Sequence, residues 1–164
     1  MDAVLERARR IRLLVLDVDG VMTDGRLYLS ASGEEFKVFH VRDGSGIVAV
    51  RRAGIEVAII SGRDCAAVVR RAAELGIRHV RQGVADKGAE LDALLGELGF
   101  AADETACVGD DTPDAPLLQR AGLAIGVADA HPALLAAAHW VTHAKGGRGA
   151  VREVCDLLLS ARAS

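Results

Sequence analysis

At 164 residues, the chain has the length of a single soluble domain that buries about 70% of its unfolded surface. Half of its residues are hydrophobic (51%), only 3% are aromatic, and the formal net charge is −3. This composition lacks the basic stripe and the stacking aromatic residues of a nucleic-acid binder, and no apolar run is long enough for a transmembrane helix. The charged start of the chain also lacks a signal-peptide core. We therefore expect a cytoplasmic protein with no nucleic-acid and no membrane partner.

Cysteine and histidine do not suggest a metal site. The three cysteines, Cys65, Cys107 and Cys155, are widely spaced and odd in number. They are typical of reduced packing residues rather than of a disulfide framework or a zinc site. The five histidines also lack the spacing of metal ligands.

The first strong element is the apolar run at residues 13–16, which predicts a strand buried on both faces. Residues 2–10 before it are typical of a short polar helix or an ordered arm. The apolar run ends in Asp17 and Asp19, followed by Gly20. In an extended chain these two carboxylates would point to the same side, about 6.5 Å apart. Such a pair favours a nearby cation or proton, although Asp and Gly also form ordinary turns.

Two strand-like segments follow at 26–30 and 35–41, on either side of a short turn, and they predict a β-hairpin. The hairpin contains Tyr28, Phe36 and Phe39, which are most of the aromatic residues of the chain. If the hairpin projects from the domain, these rings need cover, and a second copy of the chain would supply it. We therefore expect a homo-oligomer.

From residue 45 onward, helical and strand-like segments alternate. Helices are predicted at 47–53, 64–75, 86–98, 113–121, 132–138 and 149–161, and strands at 56–60, 78–82, 105–109, 123–127 and 140–142. Such alternation predicts an α/β fold with a doubly wound parallel sheet and helices on both faces. Because there is no repeat, linker or low-complexity segment, residues 1–164 are predicted to form one domain, with the hairpin at about 26–41.

Polar side chains follow the predicted strands at the edge where ligands of such sheets bind. They are Asp17 and Asp19, then Ser61, Gly62 and Arg63, then Lys87, and finally Asp110, Asp111 and Asp114. Carboxylates of Asp17 and Asp110, with the backbone carbonyl of Asp19, are suitable ligands for Mg²⁺. Ser61 and Lys87 would hold phosphate oxygens while Asp17 attacks phosphorus. Asp19 would give a proton to the leaving group and take one from water.

Four of these segments resemble the motifs of the haloacid dehalogenase-like phosphatases: 13–21, Ser61, Lys87 and 109–114. The short stretch between Asp17 and Ser61 is similar to that of members without a cap domain. Segments 17–25, 40–44, 127–132 and 146–157 extend the resemblance over nearly the whole chain to one family, the 3-deoxy-D-manno-octulosonate 8-phosphate phosphatases.

The resemblance implies a Mg²⁺-dependent sugar phosphatase of lipopolysaccharide precursor synthesis that forms an aspartyl-phosphate. It implies that Asp17 is the nucleophile and a metal ligand, Asp19 the acid/base and carbonyl ligand, and Asp110 the other metal ligand. It places Ser61 and Lys87 on the phosphate. Substrate-binding positions are implied at His40, Val41, Arg42, Asp43, Gly44, Gly62, Arg63, Arg71 and Arg148. Asp111 and Asp114 are expected behind the site, where they cap the next helix or orient Lys87, and a homotetramer is implied.

Several alternatives stay open. Val48 stands where some relatives have arginine, so a nine-carbon ulosonate 9-phosphate is a second candidate substrate. Residues 44–49 have the spacing G-x-G-x-x-A, which also occurs in dinucleotide-binding modules. A phospho-receiver domain also groups acids, a hydroxyl and a lysine, but it needs its acceptor Asp on a middle strand, whereas the middle strand predicted here ends in Ser61. Taken singly, Ser61 and Lys87 also fit a plain turn and a solvated helix charge.

Overall fold

The computed structural model describes residues 1–163. The strands are β1 (Leu13–Leu16), β2 (Tyr28–Leu29), β3 (Glu35–Phe36), β4 (Glu56–Ile60), β5 (His79–Arg81), β6 (Thr105–Gly109), β7 (Leu123–Gly126) and β8 (Trp140–Val141). The helices are α1 (Asp2–Arg10), α2 (Val41–Arg52), α3 (Ala66–Leu75), α4 (Lys87–Leu98), α5 (Ala115–Arg120), α6 (Pro132–Leu135) and α7 (Ala150–Ala163). The described helices and strands confirm the predicted order of elements, with bounds that differ by a few residues.

Six of the strands form one parallel sheet in the order β5-β4-β1-β6-β7-β8. The two central strands β1 and β6 are buried along their whole length, so both faces of the sheet are covered. This confirms the predicted α/β fold. The described chain shows no cap domain between β1 and β4, where only the hairpin and α2 intervene.

The topology creates a crevice at the centre of the sheet. After β1 the chain continues outward through β4 and β5, and it returns to build β6, β7 and β8 on the other side of β1. Leu16 of β1 lies beside Ile59 of β4 and Val108 of β6, so the three strands end at the same level. Ligands of doubly wound sheets bind at such a switch point. The residues that follow β1, β4 and β6 therefore meet there.

The hairpin is much shorter than predicted. Of the segments 26–30 and 35–41, only β2 and β3 pair, and they form a separate two-stranded sheet. Because the hairpin does not pair with the main sheet, only the residues nearest its turn form backbone hydrogen bonds between the two strands. Val41 is not in a strand but begins α2, since the His40 ring accepts a hydrogen bond from the Arg42 N–H and caps the helix. The helix therefore starts earlier than the apolar pattern of 47–50 predicts.

The hairpin exposes a row of large apolar side chains. Leu27, Leu29, Phe36 and Val38 are each about half exposed or more, and Tyr28 is also exposed. Phe39 differs from the prediction, because it packs against the core of its own chain. Elsewhere the apolar residues are largely internal, so the hairpin is the main apolar surface of the described chain. No helix among residues 1–163 combines the length and the apolar character that a membrane span requires.

Candidate active site

The loop after β1 folds back at once. The carbonyl of Val18 accepts hydrogen bonds from the N–H groups of Val21, Met22 and Thr23 at 3.2, 2.9 and 3.1 Å, which makes residues 18–23 a tight turn. The extended geometry predicted for Asp17 and Asp19 is therefore wrong, because the strand ends at Leu16. The two carboxylates contact different partners, although both line the same cavity.

A buried lysine joins the carboxylates from β1 and β6. Lys87 begins α4 and its Nζ lies 2.8 Å from Asp17 Oδ1 and 2.5 Å from Asp114 Oδ1. All three side chains are almost fully buried. Asp17, Asp110 and Asp114 each offer one oxygen within 4.8 Å of the others. The structure thus brings the predicted Asp17, Lys87 and Asp110 into one group.

The electrostatics of this group favour a bound cation. Burial, and then the neighbouring Asp114, raise the pKa of Asp17 to about 6. Burial, together with Asp17 and Asp114, raises the pKa of Asp110 to about 8. Burial opposes charge on Lys87 too, but the carboxylates outweigh it and leave its pKa raised. One ammonium therefore faces three crowded carboxylates, and oxygens in this arrangement suit a hard divalent cation such as Mg²⁺.

Both carboxylate oxygens of Asp114 accept hydrogen bonds from groups of the protein. Its Oδ1 accepts from Lys87, and its Oδ2 accepts from the N–H groups of Asp110 at 3.0 Å and Asp111 at 3.4 Å. These bonds tie Lys87 to the loop after β6. Asp17 and Asp110 are therefore the carboxylates better placed to hold a cation. Asp111 is exposed and accepts from the Thr112 N–H, so its side chain caps the short 3₁₀ turn at 112–114.

A glycine allows the two carboxylate loops to meet. Gly20 has φ +90°, and a Cβ at this position would overlap the carboxylate of Asp110. On its other side, Gly146 is packed so closely that a Cβ there would overlap the Gly20 carbonyl oxygen. The N–H of Gly147 donates to the Val21 carbonyl at 2.9 Å. The turn after β1 is thus held between Asp110 and the loop before α7.

The cavity at this edge has a volume of about 340 Å³. Among its lining residues are Asp17, Asp19, Ser61, Gly62, Arg63, Lys87, Asp110, Asp111 and Asp114, all of which the sequence analysis singled out. Ser61 is buried, and its backbone is fixed by bonds to the Arg81 carbonyl and the Val84 N–H. The cavity therefore combines carboxylates, a hydroxyl and an ammonium, which is the chemistry that a phosphate monoester and its metal require.

The other predicted substrate positions lie outside this cavity. Val41, Gly44 and Arg71 line a groove of about 380 Å³ between α2 and α3, together with Val48. His40, Arg42 and Arg148 line a third space of about 390 Å³ beside Asp24.

Asp43 and Gly44 have local packing roles. Asp43 is buried and its Oδ1 accepts from the Arg152 N–H at 2.9 Å, which fastens α2 to the start of α7. A Cβ on Gly44 would clash with Arg71 and lie 3.1 Å from Leu75. Gly44 and Gly46 are inside α2 rather than in a loop between a strand and a helix. They therefore do not form the turn of a dinucleotide site.

The sequence analysis missed Lys37 and Glu35. The Lys37 side chain is only 2% exposed, and its Nζ lies 2.5 Å from Asp19 Oδ1 and 2.9 Å from Glu35 Oε1. Burial alone would lower the pKa of Lys37, but the bonds to Asp19 and Glu35 outweigh it and raise the pKa. The one available signal was their spacing, because residues two apart in a strand share a face. In a hairpin that projects from the domain, that spacing alone does not indicate burial.

Comparison with known proteins places this arrangement in a family. Residues 79–153 match the haloacid dehalogenase-like hydrolases. The chain is 52% identical over 159 residues to 3-deoxy-D-manno-octulosonate 8-phosphate phosphatase KdsC from Salmonella typhi, covering 97% of this chain and 85% of the relative. The chain belongs to the family of the 3-deoxy-D-manno-octulosonate 8-phosphate phosphatases.

Solved structures of this phosphatase family share the fold closely. The enzyme from Yersinia pestis superposes with a TM-score of 0.97 at 51% identity, covering 99% of this chain and 88% of that one. The enzyme from Moraxella catarrhalis, solved with a magnesium ion, a phosphate ion and a KDO molecule, superposes with a TM-score of 0.98 at 42% identity, covering 99% and 94%. Family membership confirms the resemblance. The predicted contrast with a receiver domain was wrong. The strand that is followed by Asp17, β1, is itself an inner strand of the sheet.

Replacing Gly20 with alanine should disrupt cation binding more than folding. The new methyl group would displace the Asp110 carboxylate, so we expect Mg²⁺ affinity in Gly20→Ala to fall by about tenfold or more, since about 1.4 kcal/mol is a tenfold change. Titration calorimetry without substrate measures this. Gly33→Ala is the matched control, because Gly33 has a similar φ of +87° and open space around it. Equal Mg²⁺ affinity in the two variants would contradict the role given to Gly20.

Proposed function

We propose that this chain hydrolyses 3-deoxy-D-manno-octulosonate 8-phosphate to the free sugar acid and phosphate, with Mg²⁺ as cofactor, in the synthesis of lipopolysaccharide precursors. The observation that carries the proposal is the convergence of Asp17, Ser61, Lys87 and Asp110 on one cavity. The 52% identity to a phosphatase of this name supports the substrate. The relative solved with magnesium, phosphate and KDO supports the cofactor and the product.

Asp17 and Asp110, with the backbone carbonyl of Asp19, are the proposed metal ligands. When bound, Mg²⁺ neutralises negative charge on the phosphoryl group and its surroundings. Lys87 and Ser61 hold the remaining phosphate oxygens, because both line the cavity and are buried at its floor. Asp114 keeps Lys87 pointing at Asp17 through the 2.5 Å bond to its ammonium.

Asp17 is the proposed nucleophile. Its carboxylate attacks phosphorus and forms an aspartyl-phosphate, while the bond from phosphorus to the sugar oxygen breaks. Asp19 gives its proton to that leaving oxygen. In the second step Asp19 takes a proton from water as the water oxygen bonds to phosphorus, and this releases Asp17 and inorganic phosphate.

The remaining predicted residues are proposed to contact the sugar acid. Arg63 and Gly62 line the phosphate cavity itself. Gly25 lines that cavity and Asp24 lines the space of His40, Arg42 and Arg148, so the two spaces adjoin along one loop. Guanidinium groups there suit the carboxylate and hydroxyls of a sugar acid. The groove of Val41, Gly44 and Arg71 is separate, and these residues are proposed to serve the site of a neighbouring subunit.

We further propose a cytoplasmic homotetramer in which residues 1–164 act as one phosphatase domain and the hairpins associate. The exposed Leu29 and Phe36 support association, because contiguous apolar side chains of this size mark interaction surfaces. The separation of the Arg71 groove from the phosphate cavity of its own chain also supports association, because the sugar contacts proposed for these residues would then be made to a neighbouring subunit.

The function is tested by supplying the purified protein and Mg²⁺ with a panel of sugar phosphates that includes eight- and nine-carbon ulosonate phosphates. We expect the highest kcat/KM for 3-deoxy-D-manno-octulosonate 8-phosphate and reversible loss of turnover with EDTA. Preference for a nine-carbon substrate would establish the alternative suggested by Val48, which lines the groove of Arg71. Turnover that persists without a divalent cation would contradict the proposed site.

The nucleophile is tested by Asp17→Asn, which keeps the shape of the side chain but removes the attacking charge. We expect kcat to fall by about 10³-fold or more with an unchanged fold, because removal of a covalent nucleophile has effects of this size. Steady-state kinetics and circular dichroism measure the two quantities. Asp92→Asn, on the exposed face of α4, is the control and should keep full activity. A kcat of the Asp17→Asn enzyme within tenfold of the parent value would exclude Asp17 as nucleophile.

The assembly is tested by light scattering. The parent chain should have four times the protomer mass at micromolar concentration, and Phe36→Asp should shift it to smaller species because it places a charge in the proposed interface. Ala93→Asp adds the same charge to an exposed position of α4 and should leave the mass unchanged. A monomeric parent, or equal masses for the parent and Phe36→Asp, would refute the role of the hairpin.

A further inference from the structure

Four charged side chains close a ring beside the catalytic cavity. Lys37 contacts Asp19 at 2.5 Å and Glu35 at 2.9 Å. Arg63 contacts the other oxygens of the same two acids, Glu35 Oε2 at 2.9 Å and Asp19 Oδ2 at 3.7 Å. Positive and negative groups therefore alternate around the ring, and each acid lies between two cations.

The ring joins three separate parts of the chain. Asp19 is in the turn after β1, Glu35 is in β3 with Lys37 just beyond it, and Arg63 follows β4. Lys37 is the most buried member, since its side chain is 2% exposed whereas that of Arg63 is 46% exposed. A buried ammonium with two carboxylate partners is strongly held in place. Lys37 is thus the fixed member of the ring, and Arg63 is the one open to the cavity.

We propose that Lys37 is a positioning residue that acts through Asp19. Its ammonium holds Oδ1 and leaves Oδ2, on the side of Arg63, as the oxygen that exchanges protons with the leaving group and with water. The proposal rests on the function proposed above, in which Asp19 is the acid and base. Glu35 holds Lys37 from behind, and so the hairpin contributes to catalysis as well as to association.

Lys37 would support two proton transfers at Oδ2 of Asp19. In the first step the Oδ2–H bond of Asp19 breaks, and the proton passes to the sugar oxygen that takes the electron pair of the broken P–O bond. In the second step water gives a proton to Oδ2 as its oxygen bonds to phosphorus and the bond from Asp17 to phosphorus breaks. Without Lys37, Asp19 would keep only the 3.7 Å contact of its Oδ2 with Arg63, and its Oδ1 would no longer be held.

The test compares two leaving groups in Lys37→Met, which removes the charge but keeps the length of the side chain. A sugar alkoxide needs protonation, whereas p-nitrophenolate leaves readily without it. We expect kcat for 3-deoxy-D-manno-octulosonate 8-phosphate to fall by about 10- to 100-fold, a part of the 10²–10⁴ typical of a general acid. For p-nitrophenyl phosphate we expect a change of less than about threefold. A loss of metal binding or of folding would instead lower both rates together.

Three further variants keep the result interpretable. Lys37→Arg restores a cation and should recover most of the sugar-phosphate rate. In Asp19→Asn, addition of Lys37→Met should lower kcat by less than about twofold more, because two residues that act as a unit are not additive. Arg10→Met removes a positive charge from α1, at the opposite edge of the sheet, and should change neither rate. Melting temperature and light scattering are recorded for each variant.

Two results would overturn the proposal. One is an equal fall of both rates in Lys37→Met, and the other is a full additional loss when Lys37→Met is combined with Asp19→Asn. If Lys37→Met does not fold, Glu35→Gln, which weakens the contacts of Glu35 with Lys37 and Arg63 but leaves Asp19 itself unchanged, must show the same dependence on leaving group in weaker form. The parent enzyme separates the two proposals, since failure to hydrolyse the sugar phosphate refutes the function rather than the role of Lys37.

Discussion

The contact between Lys87 and the buried carboxylates of Asp17 and Asp114 is the constraint on which the rest of the structure depends. Like charges this close are tolerated only when cations compensate them, so the fold must bring the ends of β1 and β6 and the start of α4 to one place. The parallel sheet does this, because β1 and β6 are neighbours although most of the chain lies between them. The same crowding that raises the pKa of Asp110 makes a divalent cation favourable there.

Much of the fold follows from the sequence for a simple reason. Buried parallel strands need continuous apolar residues, and residues 13–16, 56–60 and 105–109 have little else, so their bounds agree with the structure. Their carboxyl ends must share one edge, which brings Asp17, Ser61 and Asp110 together without any knowledge of the loops. Strand direction and adjacency alone are enough to bring them together.

The parts that the sequence did not predict depend on contacts between distant segments. The hairpin strands were predicted too long because alternation alone does not show that the hairpin lacks a neighbour in the main sheet. The partners of Asp19 were missed because Lys37 is buried only by tertiary packing. Residues 40–44 appear as one motif in the sequence, yet α2 directs Val41 and Arg42 to different grooves and buries Asp43 between helices. A list of motif residues therefore does not define one cavity.

The packing of the loop before α7 against the turn after β1 has a further consequence. Gly146 meets the Gly20 carbonyl and Gly147 bonds the Val21 carbonyl, so this contact is made by main chain alone. Glycine at both positions is therefore required for the two segments to lie this close. Arg148, the next residue of the same loop, also lies 3.8 Å from Asp24, so the loop before α7 contacts the segment after β1 through both main chain and side chain. Replacement of Gly146 by any other residue would press on Gly20, which already leaves no space beside the Asp110 carboxylate, so a substitution far away in sequence would reach the cation site through main chain.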